Sequence, residues 1–175
     1  GIRGTIVMPQ TTPDIKVNAV KALGGHVVLH GDSFDEAAAF ANQLAREKGY
    51  SFIHPYDNLD VIAGQGTVGM EILRQHNGPI DAIFIPVGGG GLMAGIAAYV
   101  KYLRPEIRIV AVEPEDAACL DAAMKAGERV VLPQVGLFAD GVAVARIGEE
   151  TFKVAQHCVD EVITCTTDEI CAAIK

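Results

Sequence analysis

Short runs of apolar, mostly β-branched residues alternate along the chain with longer segments whose apolar positions recur every three or four residues. Strands repeat their side chains with period two and helices with period 3.6, so this alternation predicts an α/β fold of parallel strands covered by helices. Thr5–Met8 reads as the first strand. Thr12 is placed as the cap of a helix that has Pro13 at its first position, reaches Leu23 and stops at Gly24 and Gly25. His26–His30 reads as the next strand. Ser33-Phe34-Asp35-Glu36 has the spacing of a capping box and opens an alanine-rich helix that ends at Gly49. Ser51–Ile53 is expected to be a short strand closed by His54-Pro55.

The pattern restarts beyond Pro55. Asp60 is placed as the cap of a helix running to Arg74, before the turn Asn77-Gly78-Pro79. Ala82–Val87 is an apolar run bounded by turn signals, the mark of a buried strand. Gly88–Gly91 follow it directly, then a helix over Leu92–Leu103 ended by Pro105. Arg108–Val112 reads as a strand, Ala117–Ala126 as a helix stopped by Gly127, and Glu128–Gly148 as irregular. Helices over Glu149–His157 and Thr167–Ile174 flank a strand over Glu161–Cys165. The chain carries no initiator methionine and its last helix is still running at Lys175, so it reads as an interior stretch of something longer. Two lobes are expected, 1–54 and 55–175.

Composition narrows the function. Half of the 175 residues are hydrophobic, enough for a core, and the formal net charge is −8. Negative charge disfavours nucleic acid and anionic membrane as partners. No apolar run approaches the roughly 20 residues that span a bilayer. The N-terminal run lacks a signal-peptide layout, so a cytoplasmic location is expected. Cys119, Cys158, Cys165 and Cys171 show neither metal-ligand spacing nor a disulfide framework, and read as free thiols.

Glycine is enriched at 19 residues, and two clusters invite a binding role. Gly64-Gln65-Gly66-Thr67-Val68-Gly69 is a literal G-x-G-x-x-G. That motif binds dinucleotides when it follows a strand and opens a helix. Here it falls inside a helical pattern, where small residues serve close packing. Gly88-Gly89-Gly90-Gly91 stands between a strand and a helix. Successive glycines can aim several N–H groups at an anion, and the helix adds its unpaired amides and the positive end of its dipole. Neither Lys nor Arg is close in sequence, so the backbone would do the binding. Glu113, 22 residues after Gly91, stands where a ribose-binding acid would stand in a dinucleotide fold. Met93, however, occupies the third glycine position of that fingerprint. The residues leave two ligands open, a monophosphate cofactor such as pyridoxal phosphate and a dinucleotide.

The segment Pro86-Val87-Gly88-Gly89-Gly90-Gly91-Leu92-Met93-Ala94-Gly95 resembles the tetraglycine loop of the fold type II pyridoxal-phosphate enzymes, the tryptophan synthase β-like group. Ile62–Thr67 and Ala111-Val112-Glu113-Pro114 are similar to their companions in the serine/threonine dehydratase branch. Gly136–Val144 with Arg146-Ile147-Gly148 resembles the biosynthetic threonine dehydratases. The resemblance runs over all 175 residues.

That resemblance implies a two-lobed fold, incomplete here at both ends, with 1–54 closing the small lobe and 55–175 forming part of the large one. It implies pyridoxal 5'-phosphate as cofactor, held at its phosphate by Gly88, Gly89, Gly90, Gly91 and Leu92. The implied reaction takes L-threonine to 2-oxobutanoate and ammonia in isoleucine biosynthesis, within an allosteric enzyme that is a homo-oligomer. Serine dehydratase or serine racemase is the alternative within the family, and a non-catalytic phosphate-binding module the alternative outside it. The family's Schiff-base lysine lies in a Ser-Phe-Lys-type motif that this chain does not contain. None of its seven lysines matches that position, no catalytic residue is assigned, and residues 1–175 alone are expected to be inactive. Asp140 and the Ala139 carbonyl lie where some relatives bind a cation. A loop cap is the plainer reading, and no metal is assigned. His54 is expected to make a structural hydrogen bond at the lobe boundary, and His76 to be exposed.

Overall fold

The computed structural model describes residues 2–175, so Gly1 lies outside it. The chain divides into two compact units, one ending at Ile53 and the other running His54–Lys175.

The first unit holds β1 (Thr5–Met8), α1 (Asp14–Ala22), β2 (His26–Leu29) and α2 (Phe34–Lys48). The two strands pair in parallel from Thr5↔His26 to Met8↔Leu29. Capping differs from expectation. Pro13, not Thr12, is the N-cap of α1, and its carbonyl takes the amides of Lys16 and Val17. At α2 the Ser33 hydroxyl accepts the Glu36 amide at 3.3 Å, but the Glu36 carboxylate turns to the Asp32 amide at 2.6 Å. The capping box is therefore half formed. Ser51–Ile53 is not a strand, because among the described residues no strand pairs with it.

The second unit holds α3 (Leu59–Gln75), β3 (Ala82–Pro86), α4 (Gly91–Leu103), β4 (Arg108–Pro114), α5 (Cys119–Ala126), α6 (Glu149–Cys158), β5 (Glu161–Cys165) and α7 (Thr167–Ile174). Its sheet is parallel in the order β3-β4-β5, with Ala82 opposite Arg108 and Val110 opposite Glu161. Asn58, not Asp60, caps α3: its side-chain oxygen accepts the amides of Asp60 and Val61. The helix expected from Ala117 is split into a 3-10 turn over Glu115–Ala117 and α5.

The core sits between this sheet and its helices. β4 is central, with Ile109, Val110 and Ala111 buried. From α4, Met93, Ala97 and Val100 are buried against Ile83, Ile85 and Ile107. Burying one such aliphatic side chain contributes about 1.5–3 kcal/mol. The β3 run is apolar throughout, yet only Ile83 and Ile85 are buried while Phe84 stays 63% exposed. Its second face is uncovered among the described residues.

Candidate functional site

Strand β3 runs straight into the glycines. The Val87 amide still donates to the Val112 carbonyl at 2.9 Å, so pairing to β4 continues up to the loop. Gly90 then takes φ of +93° as N-cap of α4, a conformation that strains any residue with a Cβ. Gly89, Gly90 and Gly91 are buried, and Gly88 and Leu92 half-buried. The three leading carbonyls are all engaged. Gly88 accepts from the Cys119 thiol at 3.5 Å, and Gly90 accepts the Ala94 amide at 2.8 Å. Gly89 accepts the Thr151 hydroxyl at 2.8 Å and the Gly148 amide at 3.2 Å. The amides from Gly88 to Leu92, by contrast, donate to no acceptor among the described residues.

Neighbouring segments press on this loop. A Cβ on Gly89 would collide with the Tyr56 ring, and one on Gly90 would stand 2.7 Å from Ile147 Cδ1 and 2.8 Å from Thr151 Oγ1. One on Gly88 would stand 3.0 Å from the Val142 Cα. Between Tyr56, Val142, Ile147 and Thr151 the loop therefore has room for backbone but little for side chains. His54 makes the structural hydrogen bonds expected of it: its Nδ1 accepts the amides of Tyr56 and Asp57 at 3.3 and 2.8 Å. The Asp57 carboxylate in turn accepts the amides of Glu149, Glu150 and Thr151, capping α6.

Glu113 is fully buried at the end of β4. Its two oxygens accept the amides of Leu120 and Asp121, both at 2.8 Å, which pins the first turn of α5. Burial pushes this carboxyl above its usual range, against the pull of those two amides. Burial, together with the adjacent Glu113, pushes the Cys119 thiol up to about 12. Glu113 is committed to the interior, so the dinucleotide reading loses its ribose contact. All four cysteines are free, as expected. Among the described residues no group of three His, Cys, Asp or Glu side chains could hold a metal. His76 is exposed, with Nε2 3.3 Å from the Pro79 carbonyl oxygen.

The G-x-G-x-x-G match lies inside α3, where Gly66 and Gly69 are buried against α4. The packing reading holds. Tyr56, Asp57 and Thr151 were not singled out from the sequence as parts of the loop's surroundings. No local pattern marks them, since Asp57 meets α6 across more than 90 residues.

The whole chain, residues 1–175, matches the family described as pyridoxal-phosphate dependent enzyme. This chain belongs to that family. Among family members, it is 59% identical over 175 residues to the biosynthetic, chloroplastic threonine dehydratase of Arabidopsis thaliana. It is 58% identical to the biosynthetic L-threonine dehydratase of Pasteurella multocida. The alignments take in all of this chain but 30% and 34% of those relatives, so it spans about a third of their length. The solved processed form of threonine deaminase isoform 2 from Solanum lycopersicum superposes with a TM-score of 0.92 at 50% identity, over 98% of this chain and 50% of that one. Maize serine racemase superposes with a TM-score of 0.93 at 36% identity, over 99% and 52%. The fold is therefore the fold type II architecture that the sequence suggested.

Proposed function

We propose that these residues form the phosphate-holding part of a pyridoxal-phosphate-dependent threonine dehydratase, which converts L-threonine to 2-oxobutanoate and ammonia. One observation carries the reading: the amides from Gly88 to Leu92 stand at the start of α4 and have no acceptor among the described residues. A phosphate satisfies several N–H groups at once and sits favourably at the positive end of a helix. Gly88, Gly89, Gly90, Gly91 and Leu92 would hold it, all through backbone. Fixing the phosphate relative to β3 and α4 would orient the rest of the cofactor, the kind of positioning that lowers a barrier entropically. When bound, pyridoxal phosphate supplies an electron sink for the substrate's α-carbon.

No side chain of residues 1–175 is assigned as nucleophile or base, so turnover belongs to the whole protein. Threonine is favoured over serine by relatives at 59% and 58% identity, against 36% for serine racemase. A role in isoleucine biosynthesis, a homo-oligomeric state, regulation by an allosteric effector and a cytoplasmic location belong to the same proposal. Within the described residues no helix is long and apolar enough to cross a membrane. The two units fit the closing part of a small lobe and part of a large lobe.

The test is turnover by the full-length protein. Release of 2-oxobutanoate from threonine, faster than pyruvate from serine, and a borohydride-trapped cofactor on the protein are expected. Racemisation or faster loss of ammonia from serine would move the assignment to the serine enzymes. Absence of any trapped cofactor would leave a binding module.

A further inference from the structure

Thr151 lies in the first turn of α6, too early for a helical carbonyl one turn back to accept its hydroxyl. Instead its Oγ1 donates to the Gly89 carbonyl, 62 residues away, at 2.8 Å, and the residue is fully buried. Gly148, the residue before α6, donates its amide to the same oxygen at 3.2 Å. Asp57 holds the amides of Glu149, Glu150 and Thr151, so the turn that carries the hydroxyl is itself pinned.

A peptide group is planar, and in the trans form its C=O and the following N–H point in opposite directions. Anchoring the Gly89 oxygen therefore also fixes the direction of the Gly90 N–H. Glycine has the widest backbone freedom of any residue, so this peptide would otherwise turn easily. Gly90 and Gly91 follow the same logic, because the Gly90 carbonyl is taken by Ala94. The Gly89, Gly90 and Gly91 amides are thus oriented from their carbonyl side.

We propose that Thr151 is a positioning residue for the anion site: its hydroxyl, seated by Asp57 on α6, locks the Gly89–Gly90 peptide so that the Gly90 amide is aimed at a phosphate before the phosphate arrives. This rests on the phosphate reading of the loop given above.

The test compares pyridoxal phosphate with pyridoxal, which lacks the phosphate, on the apo form of the full-length protein. Thr151→Val removes the hydroxyl and keeps the volume, and Thr151→Ser restores the hydroxyl. Thr151→Val is expected to raise the dissociation constant of pyridoxal phosphate about five- to tenfold, the scale of one net hydrogen bond. Pyridoxal binding should stay unchanged, and the 31P resonance of the bound cofactor should shift. Thr151→Ser should return both readings to the unsubstituted values. Thr151→Ala, which also lacks the hydroxyl, gives the same comparison if the valine variant does not fold. Unchanged phosphate affinity and 31P shift in the valine variant would overturn the proposal, as would equal weakening of both ligands. If the unsubstituted protein binds pyridoxal as tightly as pyridoxal phosphate, the phosphate reading itself fails and takes this proposal with it.

Discussion

Gly95 of α4 lies backbone to backbone against Gly66 of α3: a Cβ on Gly95 would stand 2.5 Å from the Gly66 nitrogen and collide with the Ile62 carbonyl. The helix that begins at the tetraglycine loop is thereby set against α3 at a distance that leaves no room for a Cβ on Gly95. Packing against α4 uses Gly66 and Gly69 of the G-x-G-x-x-G match, while Gly64 faces open space.

Substituting glycines of α3 and α4 one at a time should separate their roles. Gly95→Ala is expected to cost about 1–3 kcal/mol or more, the range for forced overpacking, because the obstructing atoms are backbone. Gly66→Ala, whose Cβ would stand 3.2 Å from the Gly95 carbonyl oxygen, should cost less. Gly64 is exposed in the middle of α3 with open space around it. Gly64→Ala should therefore stabilise by about 0.5–1 kcal/mol through helix propensity. Urea titration of the three variants gives the order, and a destabilised Gly64→Ala would contradict it.

Glu113 supports a second prediction. Its two carboxylate oxygens each hold one amide of α5. Glu113→Gln keeps one acceptor and turns a donor toward the other amide, which should cost about 1–3 kcal/mol. Burial raises the carboxyl pKa above 4.5, so in the window just above that value the folded state takes up the proton first. Acidification through this window adds stability to the unsubstituted protein and not to the variant. The gap between the two should widen from neutral pH toward the lower edge of the window, as read by chemical denaturation. A gap that narrows would refute the sign.

Local signals made the strand-loop-helix around Gly88–Gly91 legible: an apolar run, four glycines and a helical period are contiguous. Residues at helix starts were less so. Asp60 and Thr12 are good capping residues by type, yet Asn58 and Pro13 take those places, because a shift of one or two residues changes little in the periodic pattern. Ser51–Ile53 has strand-like residues, but among the described residues neither sheet takes it in. Glu113 was open between a ligand role and a structural one, and only the position of α5 decides. The framework behind the loop was not legible at all, since Tyr56, Asp57 and Thr151 act through contacts with segments far along the chain.

Asp57 offers a third test, on stability. Three amides of α6 converge on its carboxylate, at 2.7, 2.8 and 3.4 Å. Asp57→Ala leaves that helix end uncapped and should cost about 1–2 kcal/mol. Asp57→Asn keeps one oxygen acceptor and should cost less. A lowered urea midpoint at unchanged slope is the expected result. An alanine variant as stable as the parent would mean that water caps α6 as well as Asp57 does.

The last prediction concerns alkaline pH. The Cys119 thiol is buried beside Glu113, and its pKa rises from the ordinary value of 9.0 to about 12. Below 9.0 the thiol is protonated in both folded and unfolded chains, so it adds no slope to stability. Between 9.0 and about 12 the unfolded chain loses its thiol proton while the folded chain keeps it. The folded state then binds more protons, and stability falls as pH rises, by about 1.4 kcal/mol per pH unit at most. Cys119→Ser retains a hydroxyl able to donate to the Gly88 carbonyl and does not titrate in this range. Its stability loss between roughly pH 8 and pH 10.5 should therefore be smaller than that of the parent by about 2 kcal/mol, with tyrosine and lysine titrations common to both. Iodoacetamide should likewise leave Cys119 unlabelled in the folded protein near pH 8, because the reactive thiolate is absent there. Parallel alkaline curves for the two proteins, or rapid labelling of Cys119, would show that the thiol is not shielded as its burial requires.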